Sequence, residues 1–143
     1  MTEFRAVAPA FLGRSESGEW RLLGRRCAQC AETAFGREDG ACQRCGNVEL
    51  DDVDLGDRGA LWSYTILRNP SPGTRRTTAP ESLPQPLGLV ELRAAAVRVM
   101  SRVDVPIERL AIGVPLKLTA PVLYVDDAGV SVVGYSFEEY SGE

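Results

Sequence analysis

Histidine is absent from this 143-residue chain, and lysine nearly so: of sixteen basic side chains, all but Lys117 are arginine. Without an imidazole the chain lacks the group that most often serves as general base near neutral pH. No run of about 18 apolar residues occurs, which excludes a membrane-spanning helix. The opening Met-Thr-Glu-Phe-Arg offers neither an apolar signal core nor a cleavage site, so a cytoplasmic protein is expected. A surplus of positive charge is also missing. The formal net charge of −4 gives no general attraction to nucleic acid or an anionic membrane. What remains is enough for a real core: 44% of the residues are hydrophobic, as befits one domain or one domain plus a small module.

The four cysteines are the first positive signal. They stand as two Cys-x-x-Cys pairs, Cys27 with Cys30 and Cys42 with Cys45, eleven residues apart. Two such knuckles bring four thiolates to the corners of a tetrahedron, the geometry of structural Zn²⁺ sites. Gly46 follows the second pair and suits a backbone turning to positive φ, whereas Ala31 takes the equivalent place after the first. Disulfides would need an oxidising compartment, for which the sequence gives no sign. A dithiol redox centre uses one such pair, and the second at ribbon spacing points to metal. Zinc is the default occupant, and a rubredoxin-type iron uses the same ligands. All four positions are filled by protein, leaving none for a catalytic water. The metal is therefore expected to fold the loop and perform no chemistry.

Along the chain, Phe4, Val7, Ala8, Phe11 and Leu12 recur at helical spacing, and predict a short amphipathic helix over 3–13, made irregular by Pro9. Its apolar face would pack at home or dock on a partner. Trp20 to Leu23 reads as a strand feeding the first knuckle, and Phe35 as a cover for the metal site. From Leu55 the pattern turns to β, with strands expected at 59–67, 87–93, 97–105, 114–125 and 130–137. Trp62 and Tyr64, on the side of Ile66, read as core. A single helical turn is expected over 106–113, ending at Gly113, and Asp126–Gly129 makes a hairpin turn. Five strands with a helical turn between the third and fourth is the order of an OB-fold barrel, ahead of an SH3-like barrel or a plain sandwich. The architecture is thus mainly β, in three parts: an N-terminal helical segment at 1–19, a ribbon at 20–54 and the barrel at 55–143. The connection over 69–86 holds five of the nine prolines, with Arg75 and Arg76 inside it and Arg68 just before. Loops of such length are usually functional or unstructured, and three guanidinium groups suit phosphate or carboxylate.

Taken together, LLGRRCAQC…ACQRCGNVEL, DRGALWSYTIL, LGLVELR and RLAIGVPLKL resemble the DUF35 family over nearly the whole chain. The order of the cysteine pairs ahead of the aromatic strand and the I-G-x-P-L segment is what makes the likeness specific. The chain departs from the family's usual pattern at Ala31, at Gly36-Arg37-Glu38-Asp39 and at Ala94-Ala95-Ala96. The resemblance implies a rubredoxin-like zinc ribbon plus an OB-fold, in a non-catalytic subunit of a hetero-oligomer. Its partner would be a thiolase-superfamily enzyme, such as a thiolase, an acyltransferase or an aldolase that shortens steroid side chains. Acyl-CoA would lie near the interface.

The residues assigned on this reading are Cys27, Cys30, Cys42 and Cys45 for Zn²⁺; Arg68, Arg75 and Arg76 for the CoA phosphates; and Phe4, Phe11 and Leu12 for the partner. No residue is assigned to catalysis. Two rivals stand beside it. A free-standing acyl-CoA binder would use the same arginines, though a small barrel offers little volume for so large a ligand. A nucleic-acid binder would need a basic groove with aromatic platforms, and the charge does not supply the groove.

Overall fold

The computed structural model describes residues 3–38, 40–69, 83–93 and 95–140. Arg75, Arg76 and most of the long connection lie outside these residues, as does Ala94. Among the described residues there are twelve strands: β1 Phe4–Ala6, β2 Leu12–Arg14, β3 Trp20–Cys27, β4 Thr33–Phe35, β5 Leu50–Asp54, β6 Arg58–Leu67, β7 Gln85–Leu92, β8 Arg98–Asp104, β9 Pro115–Thr119, β10 Val122–Val125, β11 Ser131–Val133 and β12 Ser136–Glu139. Among the described residues the one helical element is a 3₁₀ turn at Ile107–Arg109.

Strands β6, β7, β8, β12 and β9 close into a barrel in that order. Every neighbouring pair is antiparallel except β8 and β12, which run parallel. This is the closure expected of an OB-fold. Its interior is filled by Leu61, Val90, Val99, Val103, Leu116 and Phe137, each nearly or fully buried. Closing five strands tightly leaves some wall positions without room for a side chain. At Gly88 an added Cβ would stand 2.5 Å from Leu61 Cδ1, and at Gly59 2.5 Å from the Glu91 carbonyl oxygen.

The strands expected over 114–125 and 130–137 are each broken in two. Pro121 brings no N–H to the ladder, and at Gly134 a Cβ would lie 2.8 Å from Leu123 Cδ1, so the hairpin bends there. One half, β9 with β12, closes the barrel. The other, β10 with β11, leaves the wall and forms a three-stranded sheet with β1. The hairpin turn is as expected: Asp126 Oδ1 accepts from the N–H groups of Ala128 and Val130 at 2.9 Å each.

No helix forms over 3–13. Phe4–Ala6 pairs in parallel with β11, and Leu12–Arg14 pairs with β3. The only helix-like bonding is one turn, in which Phe11 and Leu12 both donate to the Ala8 carbonyl. Pro9 lies inside that turn and cannot donate, while strand partners on two sheets satisfy the flanking backbone. The 3.6-residue pattern of Phe4, Val7, Phe11 and Leu12 thus has another origin. Leu12 enters the core, Phe11 packs on the ribbon, and Phe4 stays outside.

The expectation for Trp62 and Tyr64 also fails, for a local reason. The register between β6 and β7 shifts between Leu61 and Ser63, so that one extra residue sits in β6. Leu61 points inward, while Trp62 is 45% and Tyr64 41% exposed. A bulge of this kind re-aims Trp62, which alternation from Ile66 would bury, whereas Tyr64 lies beyond it, opposite Gly88, and is exposed without being re-aimed.

A single apolar cluster joins Leu12 and Leu22 of the N-terminal half to Leu55 and the barrel interior. Polar links reinforce the junction. The Asp57 carboxylate lies 2.8 Å from both Arg21 Nη1 and Arg58 Nη1, and the Arg58 guanidinium covers the Tyr140 ring at 4.4 Å.

Candidate metal centre

Strand β3 holds the site in place. It pairs with β5 through Leu23–Cys27 and with β4 through Gly24–Arg26, so its end at Cys27 is fixed from both sides. Gly24 is needed in the middle, because a Cβ there would stand 2.5 Å from the Ala34 carbonyl oxygen. Arg37 ties the turn after β4 down, donating from Nε to Gly24 and from Nη2 to Val53, both at 3.1 Å.

From this base the two knuckles repeat one backbone design. Ala31 N–H donates to the Cys27 carbonyl at 3.0 Å, and Gly46 N–H to the Cys42 carbonyl at 2.9 Å. Cys27 N–H donates to Glu32 at 2.9 Å, and Cys42 N–H to Asn47 at 2.8 Å. Both turns pass through the left-handed region, at φ 66° for Ala31 and 83° for Gly46. Ala31 therefore carries the Cβ strain that Gly46 avoids.

The four sulfurs converge. They all lie within 4.8 Å of one another, with Cys27 to Cys45 and Cys30 to Cys42 at 3.6 Å. A tetrahedron of Zn–S bonds near 2.3 Å has edges of about 3.8 Å, so the donor set fits a tetrahedral dication. The fit rests on the sulfur separations themselves.

Electrostatics point the same way. Backbone N–H groups of Cys45 and Arg44 hold the Cys42 thiol down at about 7, and that of Cys30 lowers Cys27. At Cys30 the Glu32 N–H also favours the thiolate, but burial and the neighbouring sulfurs of Cys42, Cys45 and Cys27 outweigh it and push the thiol up to about 12. Two thiols are prepared to ionise and the crowding of sulfurs opposes the rest. A bound cation reverses that opposition, because it turns mutual repulsion into shared attraction.

The other assigned residues are scattered. Phe35 takes Phe11 at 4.8 Å and Tyr135 at 5.7 Å as ring partners, at the edge of the core. Gly36, at φ 92°, leaves the space into which the Phe11 ring fits. Leu12 is 1% exposed, which corrects its assignment to a partner surface: it is core. Phe4 is 41% exposed, with the Arg14 guanidinium 5.4 Å from its ring. Arg68 is exposed at the end of β6. Arg75 and Arg76 lie outside the described residues. Residue-by-residue reading missed Trp62, Tyr64 and Met100 as surface groups. For Met100 the signal was present, since Val99, Ser101 and Val103 alternate with it and are buried.

Fold and site together define the class: a four-cysteine ribbon built onto a closed OB barrel. Residues 52–120 match the family described as ChsH2, C-terminal OB-fold domain. A "DUF35 domain-containing scaffold protein" of Pyrococcus furiosus is 27% identical over 120 residues, which span 83% of each chain. A chain of the solved structure described as "Ltp2-ChsH2(DUF35) aldolase" superposes with a TM-score of 0.61 at 23% identity, over 83% of this chain and 84% of that one. The family match, the scaffold relative and the solved structure together support a DUF35 family member.

Proposed function

We propose that this chain is a non-catalytic accessory subunit that binds and stabilises a thiolase-fold enzyme acting on acyl-CoA, steroid side-chain degradation being one such setting. The observation that carries the reading is the likeness to a relative named as a DUF35 scaffold protein. This chain has no histidine, and its four thiols converge on one closed tetrahedral site. In this reading the metal is structural zinc and the complex is cytoplasmic. Acyl-CoA lies near the interface, with Arg68, Arg75 and Arg76 reaching its phosphates. Among the described residues no helix is long and apolar enough to cross a membrane.

The N-terminal contact falls to Phe4, which is exposed, with Phe11 holding the segment on the ribbon. An interface of this kind buries well over about 1,000 Å². Co-expression with the enzyme encoded beside this chain is the test: the enzyme is expected to be insoluble or inactive alone and to recover in the pair, with Phe4→Asp weakening it. A fully active and soluble lone enzyme overturns the reading, as does acyl-CoA turnover by the purified chain. Micromolar acyl-CoA binding by the chain alone, lost in Arg68→Ala, favours the free-standing binder instead.

A further inference from the structure

The four cysteines of the metal centre are unequally sheltered. Cys27 is 2% and Cys42 9% exposed, Cys30 is partly buried, and Cys45 is exposed. The second knuckle is open around Cys45: Gln43, Arg44 and Gly46 are exposed as well, and a Cβ built at Gly46 would meet nothing within 4 Å. Hydrogen bonding follows the same gradient. The Cys27 sulfur accepts the Cys30 N–H and the Cys42 sulfur the Arg44 N–H, each at 3.4 Å. A second N–H reaches each of them, from Gln29 and Cys45, whereas the backbone donor to the Cys45 sulfur is Asn47. Sulfurs stabilised in this way are poorer nucleophiles. Ligation to a dication holds all four as thiolates, so exposure and hydrogen bonding decide which one reacts. Both single out Cys45. Its sulfur lies 3.6 Å from that of Cys27, on the other knuckle, so a second thiolate is in reach.

We propose that Cys45 is an oxidation site, at which a peroxide enters the metal centre and Cys27 then closes a disulfide that releases the metal; the proposal rests on the structural-zinc reading. The Cys45 thiolate attacks one peroxide oxygen, the O–O bond breaks and hydroxide leaves, so that the sulfur becomes a sulfenic acid. The Cys27 thiolate attacks that sulfur, forming the S–S bond and expelling a second hydroxide. Two thiolates have lost two electrons, and the peroxide has gained them. Cys30 and Cys42 are left, and two sulfurs do not make a closed tetrahedral site. Their own contact at 3.6 Å allows a second disulfide when peroxide is in excess. A structural thiol enclosed on all sides is inert, which describes Cys27 and Cys42 but not Cys45. Cys27 ends β3, and Leu22 of the same strand belongs to the core shared with the barrel, so the loss of metal is felt beyond the ribbon.

The test uses the full-length wild-type chain loaded with zinc, so that no variant has to fold. Hydrogen peroxide is added at neutral pH beside a chromophoric chelator that reads the zinc set free, and the cysteines are mapped by mass spectrometry. Cleavage after Arg37 and Arg44 puts Cys42 and Cys45 on separate peptides, apart from the one that holds Cys27 and Cys30. Release of about one zinc per chain is expected, with a cross-link between Cys45 and Cys27 as the first disulfide. Dithiothreitol with added zinc should restore the site. Without peroxide, limiting N-ethylmaleimide should label Cys45 at least about fivefold faster than Cys27 or Cys42. Zinc that stays bound in millimolar peroxide overturns the proposal while the structural-zinc reading stands. So does a first disulfide between any other pair, first labelling at any other cysteine, or oxidation that dithiothreitol does not reverse. A chain that holds no zinc before peroxide is added overturns both.

Discussion

At the scale of single residues the two knuckles form an internal experiment, because one backbone design is built with alanine in one copy and glycine in the other. Ala31 at φ 66° has a Cβ in a region where L-residues are strained. Ala31→Gly is therefore expected to stabilise the metal-bound chain by about 0.5–1 kcal/mol, and Gly46→Ala to destabilise it by about 1 kcal/mol, read from thermal midpoints. The thiols set a second prediction. The metal-bound chain is expected to hold about one zinc, with soluble protein lost in Cys27→Ser or Cys45→Ser; elemental analysis and expression yield check both. Cys42 is held down at about 7, so its thiolate is favoured above that pH and a proton must be displaced below it. Metal affinity should thus fall at least about tenfold per unit as the pH drops below about 7, measured by competition with a chromophoric chelator. A flat profile from pH 7 to 5 would contradict this assignment.

At the scale of elements, the sequence made the cysteine cluster and the barrel strands readable, the aromatic strand included, and misread the N-terminus and the burial of Trp62 and Tyr64. The cysteine pairs were legible because ligand spacing is local, and β7 and β8 because alternation of Val, Leu and Arg survives in an unbroken register. The segment from Phe4 to Leu12 was not, since the partner of its first strand, β11, lies far along the chain and its apolar residues serve three different neighbours. Trp62 was misread because a one-residue bulge is invisible to a two-residue period. The bulge and Gly88 act together: Gly88 leaves the space that Leu61 occupies, so Gly88→Val is expected to destabilise the barrel by about 2 kcal/mol or more in denaturant unfolding.

The Arg21–Asp57–Arg58 link offers an electrostatic prediction at the same scale. Burial opposes ionisation of Asp57, but Arg21 and Arg58 outweigh it and hold the carboxyl below its ordinary value. A depressed folded-state value means stabilisation that is present above the ordinary carboxylate range and is lost as the pH falls below about 4. Asp57→Asn should remove that part of the acid dependence and cost about 0.5–1 kcal/mol at neutral pH, seen in thermal midpoints measured from pH 3 to 7.

For the whole molecule, the shared core decides how metal and barrel are coupled. Because Leu12 and Leu22 belong to the same cluster as Leu61 and Phe137, loosening the ribbon opens one side of the barrel's interior. Chelation is therefore expected to lower the melting of the entire chain in one transition. Two separated transitions in calorimetry, with the barrel's unchanged by chelator, would show the parts to be independent.

The pairing of β1 with β11 also fixes an order of events during synthesis. Phe4–Ala6 leaves the ribosome first, but its strand partner Ser131–Val133 follows only after most of the chain, roughly 6–25 s later at ~5–20 residues per second. Barrel closure waits as long, since Ser136–Glu139 is the strand that bridges β8 and β9. The ribbon alone has all its ligands in hand once Cys45 emerges, and metal capture can therefore precede every other long-range contact. For those seconds the nascent chain is a folded metal knot between an unpaired leading strand and an open sheet, and that is when it most needs shelter from aggregation.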